Sequence, residues 1–352
     1  MKYPALLRFD EIVPHLDQFD TILDVRSPSE FAEDHIPGAI NCPVLDDKER
    51  ERVGTLYKQV GSFEAKKIGA ALVAINIGRH IETLFQDKPR DWKPLVYCWR
   101  GGNRSGSMAH VLARIGWPAV QLDGGYKEYR RHVAATLTEL PSRFRFRVVC
   151  GTTGSGKSRL LQTLSTIGAQ VLDLEQLAAH RGSVLGSLPS APQPSQKSFE
   201  SAIWDALRRF DPERTVFVES ESKKVGNLRV PDTLMESMRS AQCISLSLAH
   251  AQRVQLLMQD YTHFVQTPVL LNTQLERLIP LHGKEKIKRW QAMALDGRIE
   301  TVVDELLVQH YDPAYLRSID RNFTHFDHAL QVSLDDISDA SFRAVAARLT
   351  AA

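Results

Sequence analysis

RVVCGTTGSGKSRLLQTL, residues 147–164, decides the fold of the second half of the chain. Its first apolar residues run into a glycine-rich stretch, and that stretch runs into apolar residues at helical spacing, which reads as strand, loop, helix. GTTGSGKS (151–158) matches G-x-x-x-x-G-K-[ST], a pattern that in this context turns backbone N–H groups toward a phosphate. Gly151, Gly154 and Gly156 open the backbone, and Thr152, Thr153 and Ser155 complete the loop. Lys157 reaches a terminal phosphate, and Ser158 is the ligand for magnesium where a metal is used. The motif establishes a phosphate or diphosphate site and leaves open whether a nucleotide is bound or hydrolysed. An NTP hydrolase adds an acid at the end of a second apolar strand; Asp173 after QVL and Glu219 after TVFV are the candidates.

Downstream, QVLDL, TVFVES and CISLSL read as further strands with helices between them. From about Thr273 the pattern is mainly helical until near the end. SLPSAPQPSQ (187–196) reads as a mobile surface loop. Upstream, TELPSRFRFR (138–147) is basic and carries Pro141, so it reads as a linker. Before it the alternation begins afresh. TILDVR (21–26) is a strand, SPSEFAEDH (27–35) a helix capped by Ser27 or Ser29, IPGAINCPV (36–44) a turn and strand, 64–85 a helix, and PLVYC (94–98) a buried strand entering another glycine-rich loop. The expectation is an α/β chain with two domains, at 8–138 and 143–352, each with a mostly parallel sheet.

Composition agrees with two domains: 352 residues, 43% hydrophobic and 24% charged. No apolar run approaches the roughly 20 residues of a membrane helix, and the start lacks a secretory pattern. The four cysteines form neither a zinc pattern nor a disulfide framework, which suits a reducing compartment. A cytoplasmic protein without a membrane partner is expected. A net charge of +2 does not announce a nucleic-acid partner.

Cys98 closes the strand LVY and is followed by WRGGNRS. Gly101 and Gly102 let backbone N–H groups face the sulfur, Arg100 and Arg104 add positive charge, and a helix starts next. A helix N-terminus with nearby arginines favours a thiolate. The same cup suits a persulfide, a perselenide or a phosphate-like anion. Cys42, Cys150 and Cys243 lack such surroundings and read as small core residues.

DVRSPSEFAEDHIPGAINCPV (24–44) and CWRGGNRSG (98–106) resemble the rhodanese family over roughly the first 135 residues. Arg104 stands six residues after Cys98, one more than in the common rhodanese loop, which admits a bulkier oxyanion such as selenophosphate. A rhodanese-like half joined to a P-loop half resembles the tRNA 2-selenouridine synthase family. GTLYKQVGSFEAKKIGA (54–70), DGGYKEYR (123–130), LDLEQLAAHRGSVLG (172–186), SQKSFES (195–201), VESESKKVGN (218–227) and HYDPAY (310–315) extend that resemblance over essentially the whole chain.

The resemblance implies an N-terminal rhodanese-like domain and a C-terminal P-loop NTPase-like domain with a mainly helical tail. It implies a transferase acting on the wobble uridine of tRNAs for lysine, glutamate and glutamine. Geranyl diphosphate would alkylate the 2-thio sulfur, and selenium from selenophosphate, carried on Cys98 as a perselenide, would replace the geranylated thiol. The P-loop would hold the diphosphate. His180, Arg181, Glu219, Lys223 and Lys224 are candidate diphosphate or RNA contacts, Glu221 a candidate metal or lysine partner, and GKEKIKR (283–289) a basic run suited to an RNA backbone. Trp99 and Tyr126 are candidates to stack an unpaired base. Two other readings remain at this point. A sulfurtransferase fused to a small-molecule kinase or ATPase needs no RNA. A cysteine phosphatase fits the Cys98–Arg104 spacing, but Tyr97 stands where a histidine would precede the cysteine.

Overall fold

The computed structural model describes residues 3–183, 185–186 and 192–351. Residues 187–191 of the stretch read as a mobile loop lie outside the described residues. The chain divides into two compact units, Met1–Thr136 with Ser195–Asp205, and Leu137–Pro194 with Ala206–Ala352.

The N-terminal unit is built on five parallel strands: β1 (Ala5–Leu7), β2 (Thr21–Asp24), β3 (Ala39–Asn41), β4 (Pro94–Tyr97) and β5 (Val120–Leu122), in the order β1-β5-β4-β2-β3. Strand β4 is buried along its whole length, as a central parallel strand covered on both faces must be, which explains the unbroken run PLVY. Ser27 precedes the helix Pro28–Glu33, and the Glu30 carboxylate accepts the Ser27 N–H at 3.2 Å. The helix Asp47–Gln59 is not announced by apolar periodicity; its signal is a cap, with Asp46 Oδ1 accepting the Glu49 N–H at 2.7 Å.

The helix Ser62–His80 continues through Phe85 with a wider turn, and this corrects the expectation about membrane-length segments. By length and composition its 24 residues suffice to cross a membrane, one 18-residue window reaching a mean hydropathy of 1.2. Sequence inspection sought one unbroken apolar run, whereas here the apolar residues are dispersed among glycine, alanine and a few charges. Val73, Ile77 and Ile81 pack on the core of the unit.

The second unit holds β6 (Phe146–Cys150), β7 (Gln170–Leu172), β8 (Val216–Glu219), a short hairpin of β9 (Lys224–Val225) and β10 (Leu228–Arg229), β11 (Gln242–Ser247) and β12 (Leu330–Ser333). Its parallel sheet runs β12-β11-β6-β8-β7. Leu160, Leu161 and Leu164 of the helix Lys157–Thr166 share a core with Phe342, Val345 and Leu349 of the C-terminal helix. The helical tail has its own core around Leu275, Leu278 and Trp290. The connection after β6 leads to β7 on one side of the sheet, and that after its neighbour β11 leads to β12 on the other. The crevice at the C-terminal end of β6 is therefore a topological switch point, where ligands of such sheets bind.

Ser195–Asp205 belongs with the N-terminal unit, whereas the sequence reading runs the second domain unbroken from 143. The physical reason is an aromatic cluster: Trp204, 1% exposed, lies 6.0 Å from Phe9 and 5.7 Å from Tyr129 between ring centroids. Asp34 Oδ2 adds a bond accepted from Ser201 Oγ at 3.1 Å. Periodicity shows that a helix has an apolar face but not which core the face meets. Trp204→Ala should cost the N-terminal unit about 3–5 kcal/mol, read as a lower urea midpoint by circular dichroism; an unchanged midpoint would refute the anchoring role.

Candidate active site

Each unit ends its central strand in a glycine-rich loop. In the first, β4 delivers Cys98, 4% exposed, to a loop whose carbonyls are taken from outside. The carbonyl of Cys98 accepts the Tyr126 N–H at 2.8 Å, that of Trp99 the Lys127 N–H at 3.0 Å, and that of Gly101 the Gln121 Nε2 at 2.6 Å. Across a trans peptide the N–H points opposite to the carbonyl. The amides of Trp99, Arg100 and Gly102 are thereby turned inward. A Cβ on Gly125, φ +57°, would strike the Cys98 carbonyl and the Gly101 amide, so the segment DGGY must be glycine-bearing there.

Cys98 Sγ accepts a hydrogen bond from Ser105 Oγ at 3.2 Å, a buried hydroxyl that the sequence did not single out. Arg100 is exposed at the loop tip. Arg104 donates to Glu30 Oε2 at 2.9 Å, and Arg50 joins the same carboxylate at 2.8 Å. Burial pushes the Glu30 carboxyl up, but the Arg104 hydrogen bond and charge outweigh it and hold the group below the usual range. Tyr126 does not present a free stacking face. It is buried, donates to Asp34 Oδ2 at 2.8 Å, and lies under the Arg26 guanidinium at 4.0 Å. Trp99, half-buried, leans against it at 5.3 Å. The other three cysteines are free and buried.

In the second unit the loop 151–158 follows β6. Lys157 Nζ donates to the Gly151 carbonyl at 2.6 Å, and Ser158 Oγ donates to Glu175 Oε2 at 2.9 Å. Two pins hold the loop, Tyr315 from the helical tail and Arg253 from the helix His250–Asp260. The Gly151 N–H donates to Tyr315 Oη at 2.6 Å. Arg253 donates to the Thr153 carbonyl at 2.8 Å and is ion-paired with Asp312 at 2.6 Å. The string HYDPAY thus supplies Asp312 and Tyr315 to the loop.

Over the loop lies a cavity of about 410 Å³, bounded by Gly154, Gly156, Lys157, Ser158, Arg181 and Glu221 among others. Beside it, and sharing Thr153, Leu257, Tyr261 and Tyr311, is a narrow apolar cleft of about 50 Å³ lined further by Leu185, Met258, Phe264, Ile299 and Leu306. Arg181 lies over the Tyr261 ring at 4.6 Å, where the two spaces meet. Thr152 and Ser155 belong to the loop without bounding the cavity. His180 is buried, its Nδ1 without a partner among the described residues, and does not bound the cavity either. Glu219 lies behind the loop, 2% exposed, accepting the Glu175 N–H at 2.8 Å. Lys223 and Lys224 sit exposed at the small hairpin, away from the cavity. In the run 283–289, Arg289 is paired with Glu305 and Lys288 with Glu285, and Lys286 lies over Trp290.

Burial lowers the Lys157 ammonium, opposed by the charges of Glu175 and Glu221. Burial, then the Glu175 charge, pushes the Glu221 carboxyl up to about 8, while Glu175, Glu219 and Asp173 are raised chiefly by burial. Of these acids Glu221, which bounds the cavity, holds its proton near neutrality, so it does not repel an anion there. No group of three or more His, Cys, Asp or Glu side chains suited to a metal occurs among the described residues.

A family model described as the tRNA 2-selenouridine synthase AAA domain matches residues 144–333, and a rhodanese-like domain model matches 9–132. The chain is 34% identical over 270 residues to a tRNA 2-selenouridine synthase of Nitrosomonas europaea, covering 74% of this chain and 67% of that protein. It is 32% identical over 338 residues to that of Hydrogenovibrio crunogenus, covering 86% and 92%, and 31% identical over 323 residues to that of Marinobacter nauticus, covering 84% and 87%.

The raised Glu221 makes a signed prediction. The fold holds a proton that the unfolded chain releases above its ordinary value of 4.5, so this group's stabilising contribution is present below that value and lost as pH rises through about 8. Ionisation also sets a carboxylate beside the anion site. Pyrophosphate affinity, measured by calorimetry, should fall as pH rises through 8, and Glu221→Gln should remove that inflection; an identical profile in the variant would exclude Glu221 as its source.

Proposed function

Since the chain belongs to the tRNA 2-selenouridine synthase family, and is thereby a tRNA-modifying transferase using a selenium-donating co-substrate, we propose that its P-loop holds geranyl diphosphate and that Cys98 carries the selenium. The observation that carries this reading is the apolar cleft opening from the phosphate cavity. A nucleobase asks for polar partners along its edge; the cleft offers leucine, isoleucine, methionine and phenylalanine. The cleft is narrow, and Met258, an unbranched and adaptable side chain, is suited to turn aside for a prenyl chain.

The chemistry runs in two steps on the wobble 2-thiouridine of tRNAs for lysine, glutamate and glutamine. The thio sulfur attacks C1 of the prenyl chain, the C–O bond breaks, diphosphate leaves and the base gives up its N3 proton. Lys157 and the loop amides stabilise the departing diphosphate. Ser158 Oγ and the Glu175 carboxylate, hard oxygens side by side, are the residues that would hold magnesium, which neutralises diphosphate charge when bound. Alkylation converts a poor leaving group into a good one. The Cys98 thiolate, in its amide cup beside the Ser105 hydroxyl, takes selenium from selenophosphate as the P–Se bond breaks and phosphite leaves. The perselenide selenium attacks C2 of the base, the C–S bond breaks and geranylthiol leaves with a proton. A second thiol from the reducing pool cleaves the Se–S bond, freeing the selenouridine and leaving a disulfide on Cys98. Arg181 is placed at the mouth of the cleft to meet the diphosphate. We place the reaction in the cytoplasm, where tRNA and a reducing thiol pool coexist.

Lys157→Ala should lose about ten- to a hundredfold in diphosphate binding and fail to geranylate, yet still selenate tRNA supplied already geranylated. Nucleoside mass spectrometry of both half-reactions decides it: intact geranylation with lost ATP binding would favour a kinase-type loop instead. Filling the cleft with Leu306→Trp should abolish geranylation while sparing pyrophosphate binding. Cys98→Ser should accumulate geranylated tRNA without selenouridine, and selenation at the parental rate in that variant would remove Cys98 from the mechanism.

A further inference from the structure

At the end of the second sheet opposite the P-loop, four parallel strands begin side by side. Arg145 immediately precedes β6 and Arg147 lies within it; Arg214 stands just ahead of β8; Gln170 opens β7 and Gln242 opens β11. With the C-terminal helix they bound a groove of about 890 Å³.

The three arginines share an unusual condition. Arg145 Nη2 donates to the Glu213 carbonyl at 2.6 Å, Arg214 Nη2 to the Gly168 carbonyl at 2.6 Å, and Arg147 Nη1 to the Leu349 carbonyl at 3.2 Å. These bonds orient the guanidinium groups and cancel no charge. Among the described residues none of the three has a carboxylate within ion-pair distance. The nearby acid Asp211 is turned to its own loop, with Oδ1 accepting the Glu213 N–H at 3.0 Å. Arg147 lies over the Phe217 ring at 5.9 Å, and its Nε is buried without an acceptor. Burial lowers its basicity, the expected consequence of desolvating a cation that lacks a counterion.

We propose that this groove binds the phosphate backbone of the tRNA substrate, at a site separate from the two loops that do the chemistry. Positive charges spread across the ends of neighbouring strands, roughly 5 Å apart, fit a run of phosphates better than one small anion. Gln170, Gln242, Thr215 and Ser237 add uncharged donors and acceptors suited to ribose hydroxyls. The basic runs visible in the sequence are poorer candidates. Arg289 and Lys288 have acidic partners, whereas sheet pairing of β8 with β6 brings Arg214 beside Arg145 and Arg147 from 67 and more residues further along the chain.

The test uses the full chain with Arg145→Glu and Arg214→Glu combined. Both side chains are exposed, so the fold should persist, checked by circular dichroism. Unmodified tRNA serves as the probe in fluorescence anisotropy across a salt series. The Kd should rise at least tenfold and the log–log salt slope should fall by roughly one for each lost phosphate contact. The KM for tRNA should rise while kcat stays within about twofold, because no reacting group has moved. The double lysine variant, which keeps both charges, should bind within a few fold of the parent. An unchanged Kd and salt slope in the folded glutamate variant would overturn the proposal. So would an equal loss in the lysine variant, which would assign the effect to the carbonyl bonds instead of the charge, and so would a loss confined to kcat.

Discussion

Both candidate loops depend on one constraint: a central parallel strand must pass within a few residues into a helix, and the backbone amides freed at that junction have no internal partners. The first turn of any helix leaves such donors. Here the surrounding chain ensures that they face inward, by taking the carbonyls of the Cys98 loop from Gln121, Tyr126 and Lys127. A nest of this kind is a property of the backbone, and it binds an anion before any charged side chain contributes. That is why one fold device can make two anion sites, one beside Cys98 and one beside Lys157.

Charged side chains then tune each nest, in opposite ways. Around Cys98 the arginine nearest the helix start is already paired, since Glu30 accepts from both Arg104 and Arg50. The sulfur is left with a neutral donor, the Ser105 hydroxyl. Around Lys157 the arrangement is reversed. Several carboxyls crowd one ammonium, and burial raises each of them, which weakens the negative charge they set around Lys157. A diphosphate entering that space brings the missing negative charge to Lys157, which in its absence donates to the Gly151 and Thr152 carbonyls.

The sequence was most legible where chemistry dictates residue type over a short span. GTTGSGKS and CWRGGNRS were readable because amide nests require glycine at fixed offsets and their anions require lysine, serine or cysteine beside it. The groups that hold these loops were not readable. Tyr315 reaches Gly151 across 164 residues and Arg253 reaches Thr153 across 100, and neither spacing leaves a local pattern. Ser105 was inside the quoted motif yet passed over, because a serine at a helix start is ordinarily a cap. The helix around Trp204 shows the same limit at the scale of a domain. A helix was expected between QVLDL and TVFVES, but its partners are Phe9, 195 residues earlier, and Tyr129, 75 residues earlier.

Burial also explains why Glu219 and Glu221, two residues apart on one strand end, part company. Alternation along β8 and its continuation would put both on one face of the sheet. Glu219 still lies within the strand, where its neighbours β6 and β7 cover it and the Glu175 amide takes one oxygen. Glu221 has passed the strand end, so its carboxyl reaches the cavity. The first is held in place, raised by burial, and accepts the Glu175 N–H; the second, raised to about 8, can exchange its proton with whatever occupies the site. A strand-end acid thus changes from a structural group to a chemical one within a single alternation, and the distinction rests on where the neighbouring strands stop.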